Sequence, residues 1–311
     1  MSDNPVVIVF SCDDRYVQHT AAAIASVIHH SQRTFCFYIL DCGISQKNVE
    51  KLQRWDLGSS TLTITAVAKN DVFERYRLHH KASPAIFGRL MVAEIFPQHD
   101  KMLYLDSDII AFGDVGELWD INLGEMLMGG MNELPFLSEK MIFNRIRKNG
   151  SVGRVYFNSG VLLMNTKMMR IDHFGEACIR ELEQNPNFIF PDQDAINRVI
   201  GENYVLLDPK FNFMIPLGSK KEFRDFRPIL VHYTVRKPWV LYPWLLSFFG
   251  TYGQFAKSYW EAVCRTPFAK EAKQYVSFSK TARVLWKWLF QPIETFFRVR
   301  FGMLLRALWR R

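Results

Sequence analysis

Met102-Leu103-Tyr104-Leu105-Asp106-Ser107-Asp108 is an apolar run that stops on two carboxylates. A short apolar run bounded by polar residues reads as a buried strand rather than a helix. Two Asp separated by one residue at a strand end can lean toward one hard cation. Carboxylate oxygens suit Mg²⁺ or Mn²⁺, and such an ion commonly bridges to phosphate oxygens. A solvated turn after a strand also favours Asp, so the pair acquires meaning only from its surroundings. Upstream, Val6–Ser11 reads as a buried strand and Thr20–His29 has helical spacing. Phe35–Leu40 is a second β-rich run, and Ser45 stands where it would cap a helix through Arg54. Leu62–Val67 alternates like a strand. Ser83-Pro84 has the form of a helix start, with Ser at the N-cap and Pro at the first helical position, leading into Ile86–Phe96 before Pro97. Strands alternating with helices predict a mostly parallel α/β sheet with helices on both faces.

Downstream, Phe157–Met164 and Ile229–His232 read as buried strands and Asp192–Ile200 as a short helix. Ligands of open α/β sheets sit at the carboxyl ends of the strands, so the polar clusters closing these strands should converge on one crevice. Phe157-Asn158-Ser159-Gly160-Val161 places small polar residues and a Gly within an apolar stretch, which marks a bulge or a close approach. Asp192-Gln193-Asp194 opens a helix after Pro191, where carboxylates serve as caps and dipole partners. His232-Tyr233 ends a strand, followed by Arg236-Lys237-Pro238-Trp239. The His79-His80 pair has no matching carboxylates and reads as surface.

The net charge of +8 is unevenly distributed. Residues 265–311 hold eleven Lys and Arg against two acids, leaving 28 bases and 29 acids in residues 1–264. A neutral body with a basic tail argues against nucleic acid as a partner and for an anionic membrane surface. From about Tyr242 the pattern turns aromatic, basic and helical, so the chain divides into 1–241 and a membrane-attachment segment, 242–311. In the tail, Ile293, Phe297, Phe301, Leu304 and Leu308 share one helical face, while Arg306 and Arg310 lie away from it. Five cysteines without a C-x-x-C pair argue against a disulfide framework or a structural zinc site and favour a reducing compartment. Val6–Phe10 is too short for a signal peptide, and no window of about 18 uncharged apolar residues occurs. The expectation is a cytoplasmic protein, peripheral on the inner face of the plasma (inner) membrane.

Taken in this order, the clusters resemble the family 8 retaining glycosyltransferases, in particular the bacterial lipopolysaccharide and lipo-oligosaccharide α-galactosyl- and α-glucosyltransferases, with glycogenin a remoter relative. The resemblance covers about residues 5–240. It implies a GT-A-like fold and transfer of a hexose from UDP-galactose or UDP-glucose to a lipid-linked glycan acceptor. It also implies Asp13, in Phe-Ser-Cys-Asp-Asp, at the uridine, and Arg89, in Phe-Gly-Arg-Leu, reaching the donor sugar and pyrophosphate. Asp106 and Asp108 match the metal pair, with His232 as third protein ligand of Mn²⁺ or Mg²⁺. Asn158 and Ser159 match the lining of the donor-sugar pocket. Asp192 and Gln193 match the catalytic pair beside the sugar and its anomeric carbon, and Lys237 the lysine facing the pyrophosphate. In one place the chain departs from the family. Lys237 follows His232 one residue sooner than usual, and the intervening Gly is missing. Arg236 stands in that loop with a charge that can substitute for the lost backbone approach.

Two other classes fit part of this pattern. A strand ending in Asp-x-Asp also opens the haloacid-dehalogenase phosphatases, but there it lies near the domain start and is followed by Thr or Val, where this chain has Ile110. A membrane-bound nucleotide-sugar-binding protein without catalysis would account for the altered loop after His232.

Overall fold

The computed structural model describes residues 4–67, 73, 83–133, 155–214, 226–234, 237–240 and 250–272. Its centre is a seven-stranded sheet: β1 (Val6–Cys12), β2 (Phe35–Asp41), β3 (Thr61–Ala66), β4 (Met102–Leu105), β6 (Met128–Asn132), β7 (Phe157–Met164) and β8 (Tyr204–Leu206). The order is β3-β2-β1-β4-β7-β6-β8. β1 pairs in parallel with β2 and β4, and β2 with β3. β7 runs antiparallel to both neighbours, β4 and β6, while β8 is parallel to β6. The sheet is therefore mostly parallel, as the alternation predicts. Every residue of β1, β4 and β7 is buried, as expected for strands covered on both faces. β3, at the edge, is only half-buried and alternates Thr with Leu62 and Ile64.

A second sheet of three short strands has the order β5 (Ile109–Ala111), β10 (Leu230–His232), β9 (Phe213–Met214). β5 begins directly after Asp108 and pairs antiparallel with β10, so that His232 lies opposite Ile109. The Tyr233 N–H donates to the Asp108 carbonyl at 3.0 Å. This pairing carries His232 to the end of β4.

The longer helices are α1 (Val17–His29), α2 (Gln46–Gln53), α3 (Phe174–Gln184), α4 (Pro191–Val199) and α5 (Gly250–Val263). α1 is buried without a break from Val17 to Val27. Its Ala21–Ala23 run lets it pack closely, with Ala22 in one apolar cluster with Tyr252, Ala256, Tyr259 and Val263 of α5. So the described part of the C-terminal segment, 250–272, lies against the body. The tail from Thr281, Tyr242, His79-His80 and Arg236 lie outside the described residues. Among the described residues no helix is long and apolar enough to cross a membrane.

Two local expectations are corrected. Pro84–Leu90 is a 3₁₀ helix followed by a single α turn, Val92–Ile95, instead of one α-helix. Ser83 does cap it, accepting the Ala85 N–H. A Cβ on Gly88 would collide with Ser11 Oγ and come within 2.9 Å of its Cβ, so Gly88 lets this turn press against the end of β1. At α2, Ser45 is the N-cap residue but its side chain makes no capping bond. Asp14 organises that end, its Oδ1 accepting from Ser45 N and Asn48 Nδ2, both at 2.8 Å.

Candidate active site

Because β7 is antiparallel, its first residues, not its last, reach the carboxyl edge of β1 and β4. The Asp106 N–H donates to the Gly160 carbonyl at 2.8 Å, which brings Asn158–Gly160 level with the two aspartates. Ser107, between them, turns the other way and hydrogen-bonds Thr20 of α1 at 2.8 Å. Asp106 and Asp108 are left on one side.

His232 Nε2 stands 3.2 Å from Asp108 Oδ1 and 3.7 Å from Asp106 Oδ2. One ligand atom from each of these three residues lies within 4.8 Å of the others. The orientation of the imidazole follows from a chain of hydrogen bonds that starts at a backbone donor. The Gly160 N–H fixes Asn158 Oδ1 as the acceptor, at 3.1 Å. That oxygen also takes Asn212 Nδ2 at 2.9 Å. Asn212 Oδ1 therefore faces His232 Nδ1, 3.0 Å away, which must carry the proton. Nε2 is turned toward the two carboxylates. Two carboxylates and one imidazole nitrogen so grouped suit a divalent cation, with the outer partner of the histidine already in place. The residues thus fit the metal that the Asp-x-Asp pair implies. Gly160 makes room for the imidazole: a Cβ there would overlap His232 Cε1 and reach within 2.8 Å of Asp106 Oδ2.

Charge around the pair is asymmetric. Arg89, 4% exposed, is the hub of the site. It donates to Asp106 Oδ1 at 2.7 Å and to the Ser159 carbonyl and Oγ at 2.6 and 2.7 Å. Its Nε lies 3.2 Å from Asp192 Oδ2, and its guanidinium covers the Tyr104 ring at 4.6 Å. Burial opposes its charge, but Asp106, Tyr104 and Asp192 outweigh that and raise its pKa. Burial raises the pKa of Asp106 as well, against the pull of Arg89. Asp108 goes the other way. Burial would raise it, but the Lys237 ammonium bonded to it holds it well below the carboxylate range. The two aspartates thus differ, with Asp106 tied into the scaffold and Asp108 facing the cationic side.

Asp192 and Gln193 open α4 behind Pro191. Asp194 alone does the capping that sequence assigns to the trio, its Oδ2 accepting from Ile189 N and Phe190 N at 3.0 Å. Asp192 and Gln193 turn instead to the site. Ser159 Oγ donates to Asp192 at 2.9 Å, and the Ser159 N–H to Gln193 Oε1 at 3.0 Å. Gln193 Nε2 donates to Glu133 Oε2 at 2.7 Å, so the amide has one fixed orientation. Asp13 sits past the end of β1, bonded to Arg15 at 2.9 Å and Ser83 at 3.0 Å. A cavity of about 410 Å³ runs from Asp13, Arg15 and Tyr16 past Arg89 to Asp106 and Asp108.

The residues singled out in the sequence are therefore adjacent in space, from Asp13 through Arg89, Asp106, Asp108, Asn158, Ser159, Asp192 and Gln193 to His232 and Lys237. Sequence reasoning missed Asn212, Glu133 and Tyr104. The signal for Asn212 is a lone Asn between Phe211 and Phe213, which is fully buried in the fold. Tyr104 is the one polar-tipped residue of β4, and its hydroxyl donates to Asp106 at 3.2 Å.

The sheet order, with its single reversed strand and a histidine delivered by a second small sheet, defines a GT-A-like fold. The chain belongs to glycosyl transferase family 8, whose model matches residues 7–241. Among curated relatives it is 29% identical over 245 residues to the glycosyltransferase GlyF of Streptococcus pneumoniae serotype 4, covering 76% of this chain and 57% of that protein. It is 24% identical over 257 residues to the lipopolysaccharide 1,2-glucosyltransferase of Escherichia coli K12, covering 76% of this chain and 74% of that one. The solved galactosyltransferase LgtC, in complex with donor and acceptor sugar analogs, superposes with a TM-score of 0.66 at 25% identity over 84% of this chain and 96% of its own. The bifunctional glycosyltransferase WbbM shares the fold, with a TM-score of 0.67 at 21% identity, covering 89% of this chain and 52% of that chain. The chain thus spans little more than half the length of GlyF and of WbbM.

Proposed function

We propose that the protein transfers a hexose, with retention, from UDP-galactose or UDP-glucose to a glycan acceptor of the lipopolysaccharide core or lipo-oligosaccharide type. The observation that carries this is the Asp106–Asp108–His232 cluster at the end of a nucleotide-sized cavity, with Gln193 hydrogen-bonded at both ends of its amide beside it, in a chain of family 8. The names of the E. coli glucosyltransferase and of LgtC support a hexose donor and a glycan acceptor.

Asp106, Asp108 and His232 would hold Mn²⁺ or Mg²⁺, whose charge stabilises the departing diphosphate. Lys237 adds charge on the Asp108 side, and Asp13 would meet the uridine. Arg89 keeps Asp106, Asp192 and Ser159 in register. Asn158 and Ser159 would line the donor sugar, with Asp192 at its hydroxyls. Gln193 turns a fixed dipole toward the carbon where positive charge develops. The acceptor hydroxyl needs no strong base if its proton goes to the departing phosphate. Incubation with labelled UDP-galactose and UDP-glucose, with and without Mn²⁺, tests this. Transfer predicts UDP release and label in an added oligosaccharide. Release of inorganic phosphate would identify a phosphatase, and binding without release a sugar-nucleotide carrier.

Gln193→Ala should lower kcat far more than it weakens UDP-sugar binding. A dipole aimed at developing charge acts mainly in the transition state, and its loss typically costs about 10²-fold. Calorimetry beside steady-state rates decides: collapsed affinity with surviving turnover would make Gln193 a binding residue only.

We further propose that the division at 241/242 separates catalysis from attachment, with the attaching part beyond α5, in the tail from Thr281. Each Lys or Arg near an anionic leaflet contributes about 1 kcal/mol, and buried aromatics add to that. Such a tail would hold the enzyme on the cytoplasmic face of the inner membrane, beside a lipid-linked acceptor. Removal of the residues after Lys280 should leave an active enzyme toward water-soluble acceptors that no longer sediments with anionic vesicles. High salt should release the full chain only in part, because the aromatic contribution is not screened. Equal sedimentation of the truncated chain would refute the attachment role.

A further inference from the structure

We propose that His19 of α1 and Tyr259 of α5 are positioning residues for Lys237, acting through Trp239. The inference rests on Lys237 serving the donor diphosphate, as proposed above.

Lys237 opens a 3₁₀ turn, Pro238–Val240, closed by a Val240 N–H to Lys237 carbonyl bond of 3.3 Å. The direction of the lysine therefore follows the seat of this turn, and the turn is seated by Trp239. The indole lies flat on the His19 ring, with centroids 3.6 Å apart and planes 14° from parallel. Tyr16 meets it edge-on at 6.0 Å, and Tyr259 lies tilted against it at 5.3 Å. His19 Nδ1 is 2.7 Å from the Tyr259 hydroxyl, which fixes the rotation of the imidazole. His19 is 3% exposed and Tyr259 1%.

A histidine here is costly for the fold. Burial drives its pKa down to about 3, so the ring stays neutral at working pH. A Phe would cover Trp239 with no polar atom to satisfy. What the imidazole adds is orientation. The hydrogen bond from α5 sets its plane, stacking passes that plane to Trp239, and the turn passes it to the ammonium on Asp108. Among the described residues, this aromatic and hydrogen-bonded contact joins α5 to the cationic side of the site. Of the groups named in the site, neither His19 nor Tyr259 touches the metal cluster. The turn that carries Trp239 is the packed path from them to Lys237. Misplacement of a charged group by about 1 Å is enough to cost about 10²-fold in function.

The test is calorimetric titration of the full chain with UDP at saturating Mn²⁺, on Tyr259→Phe, His19→Phe, Lys237→Met and the double variant Tyr259→Phe/Lys237→Met. Tyr259→Phe removes one hydroxyl without changing the packing volume. It should weaken UDP binding by about three- to tenfold, the range one hydrogen bond commands. His19→Phe keeps the stack and should do the same. In the Lys237→Met background the Tyr259→Phe effect should vanish, since no lysine remains to be positioned. A merely structural role would lower the melting temperature but leave UDP affinity unmoved, or give additive losses in the double variant. Either result overturns the proposal. If Lys237→Met alone leaves UDP affinity unchanged, the diphosphate role of Lys237 fails and the inference falls with it. If Lys237→Met weakens binding while Tyr259→Phe and His19→Phe do not, only the inference fails.

Discussion

Asp108→Asn is expected to abolish hexosyl transfer, by about 10³-fold or more, while leaving the fold intact. The substitution keeps shape and removes one formal charge. Asp108 Oδ1 lies 3.2 Å from His232 Nε2, and Oδ2 takes the Lys237 ammonium. Whichever way the amide turns, its NH₂ faces either Lys237 or the nitrogen that should be a ligand. A hard cation binds oxygen with formal charge far better than an amide. The fold does not rely on this carboxylate, because the β5–β10 pairing next to it runs through backbone groups. Asp106→Asn should be less clean, because Asp106 also anchors Arg89 at 2.7 Å and Tyr104 at 3.2 Å. Its loss therefore costs stability as well as activity. A phosphatase would reverse this ranking, with Asp106 as nucleophile and a trappable phospho-aspartate. Steady-state rates at saturating Mn²⁺ and a melting curve test the prediction. Activity near wild type in Asp108→Asn would remove the metal centre from the account.

Gly160→Ala is the second large effect, and it adds only a methyl group. The new Cβ would overlap His232 Cε1 and approach Nδ1 at 2.9 Å and Asp106 Oδ2 at 2.8 Å. Neither neighbour can retreat cheaply. His232 is 4% exposed and tethered to Asn212, and Asp106 is held by Arg89. The ring must therefore rotate, which moves Nε2 off the two carboxylates. Overpacking of this kind costs about 1–3 kcal/mol of stability, and displacement of a ligand should cost about 10²-fold in Mn²⁺ affinity and in rate. The measurement is free Mn²⁺ by electron paramagnetic resonance during titration in the presence of UDP. Affinity within about twofold of wild type would show that the ring and the pair are not packed as described.

How much of this the sequence discloses depends on whether the cause is local. Met102–Leu105 and Phe157–Met164 are legible to the residue, because a fully apolar run bounded by polar residues marks a buried strand. The direction of Phe157–Met164 is not legible, since such a run reads alike in either orientation. Yet that reversal is what sets Asn158–Gly160 beside Asp106. Asp106, Asp108 and His232 carry their own chemistry and can be singled out by residue type. Asn212 cannot, because its meaning lies in orienting a histidine twenty residues on. The Pro84–Phe96 stretch has a genuine helix start, but over one or two turns α and 3₁₀ periods look alike. Contact of Gly88 with Ser11 accompanies the tighter form. The Gly160 void is legible only as a Gly within a strand, because the ring that fills it comes from a strand 72 positions away. Likewise, the aromatic character of the C-terminal segment is visible in sequence. The packing of Tyr252, Ala256 and Tyr259 on α1 is a long-range fact.

The central claim is that one cation, held by Asp106, Asp108 and His232, meets the diphosphate of the donor. Pulsed electron paramagnetic resonance of the full chain with Mn²⁺ and UDP tests it most directly. The account predicts that a single bound Mn²⁺ shows coupling to an imidazole nitrogen and to phosphorus at once. The nitrogen coupling should disappear in His232→Gln. Phosphorus coupling without nitrogen in the wild-type chain, or nitrogen coupling that survives His232→Gln, would contradict it.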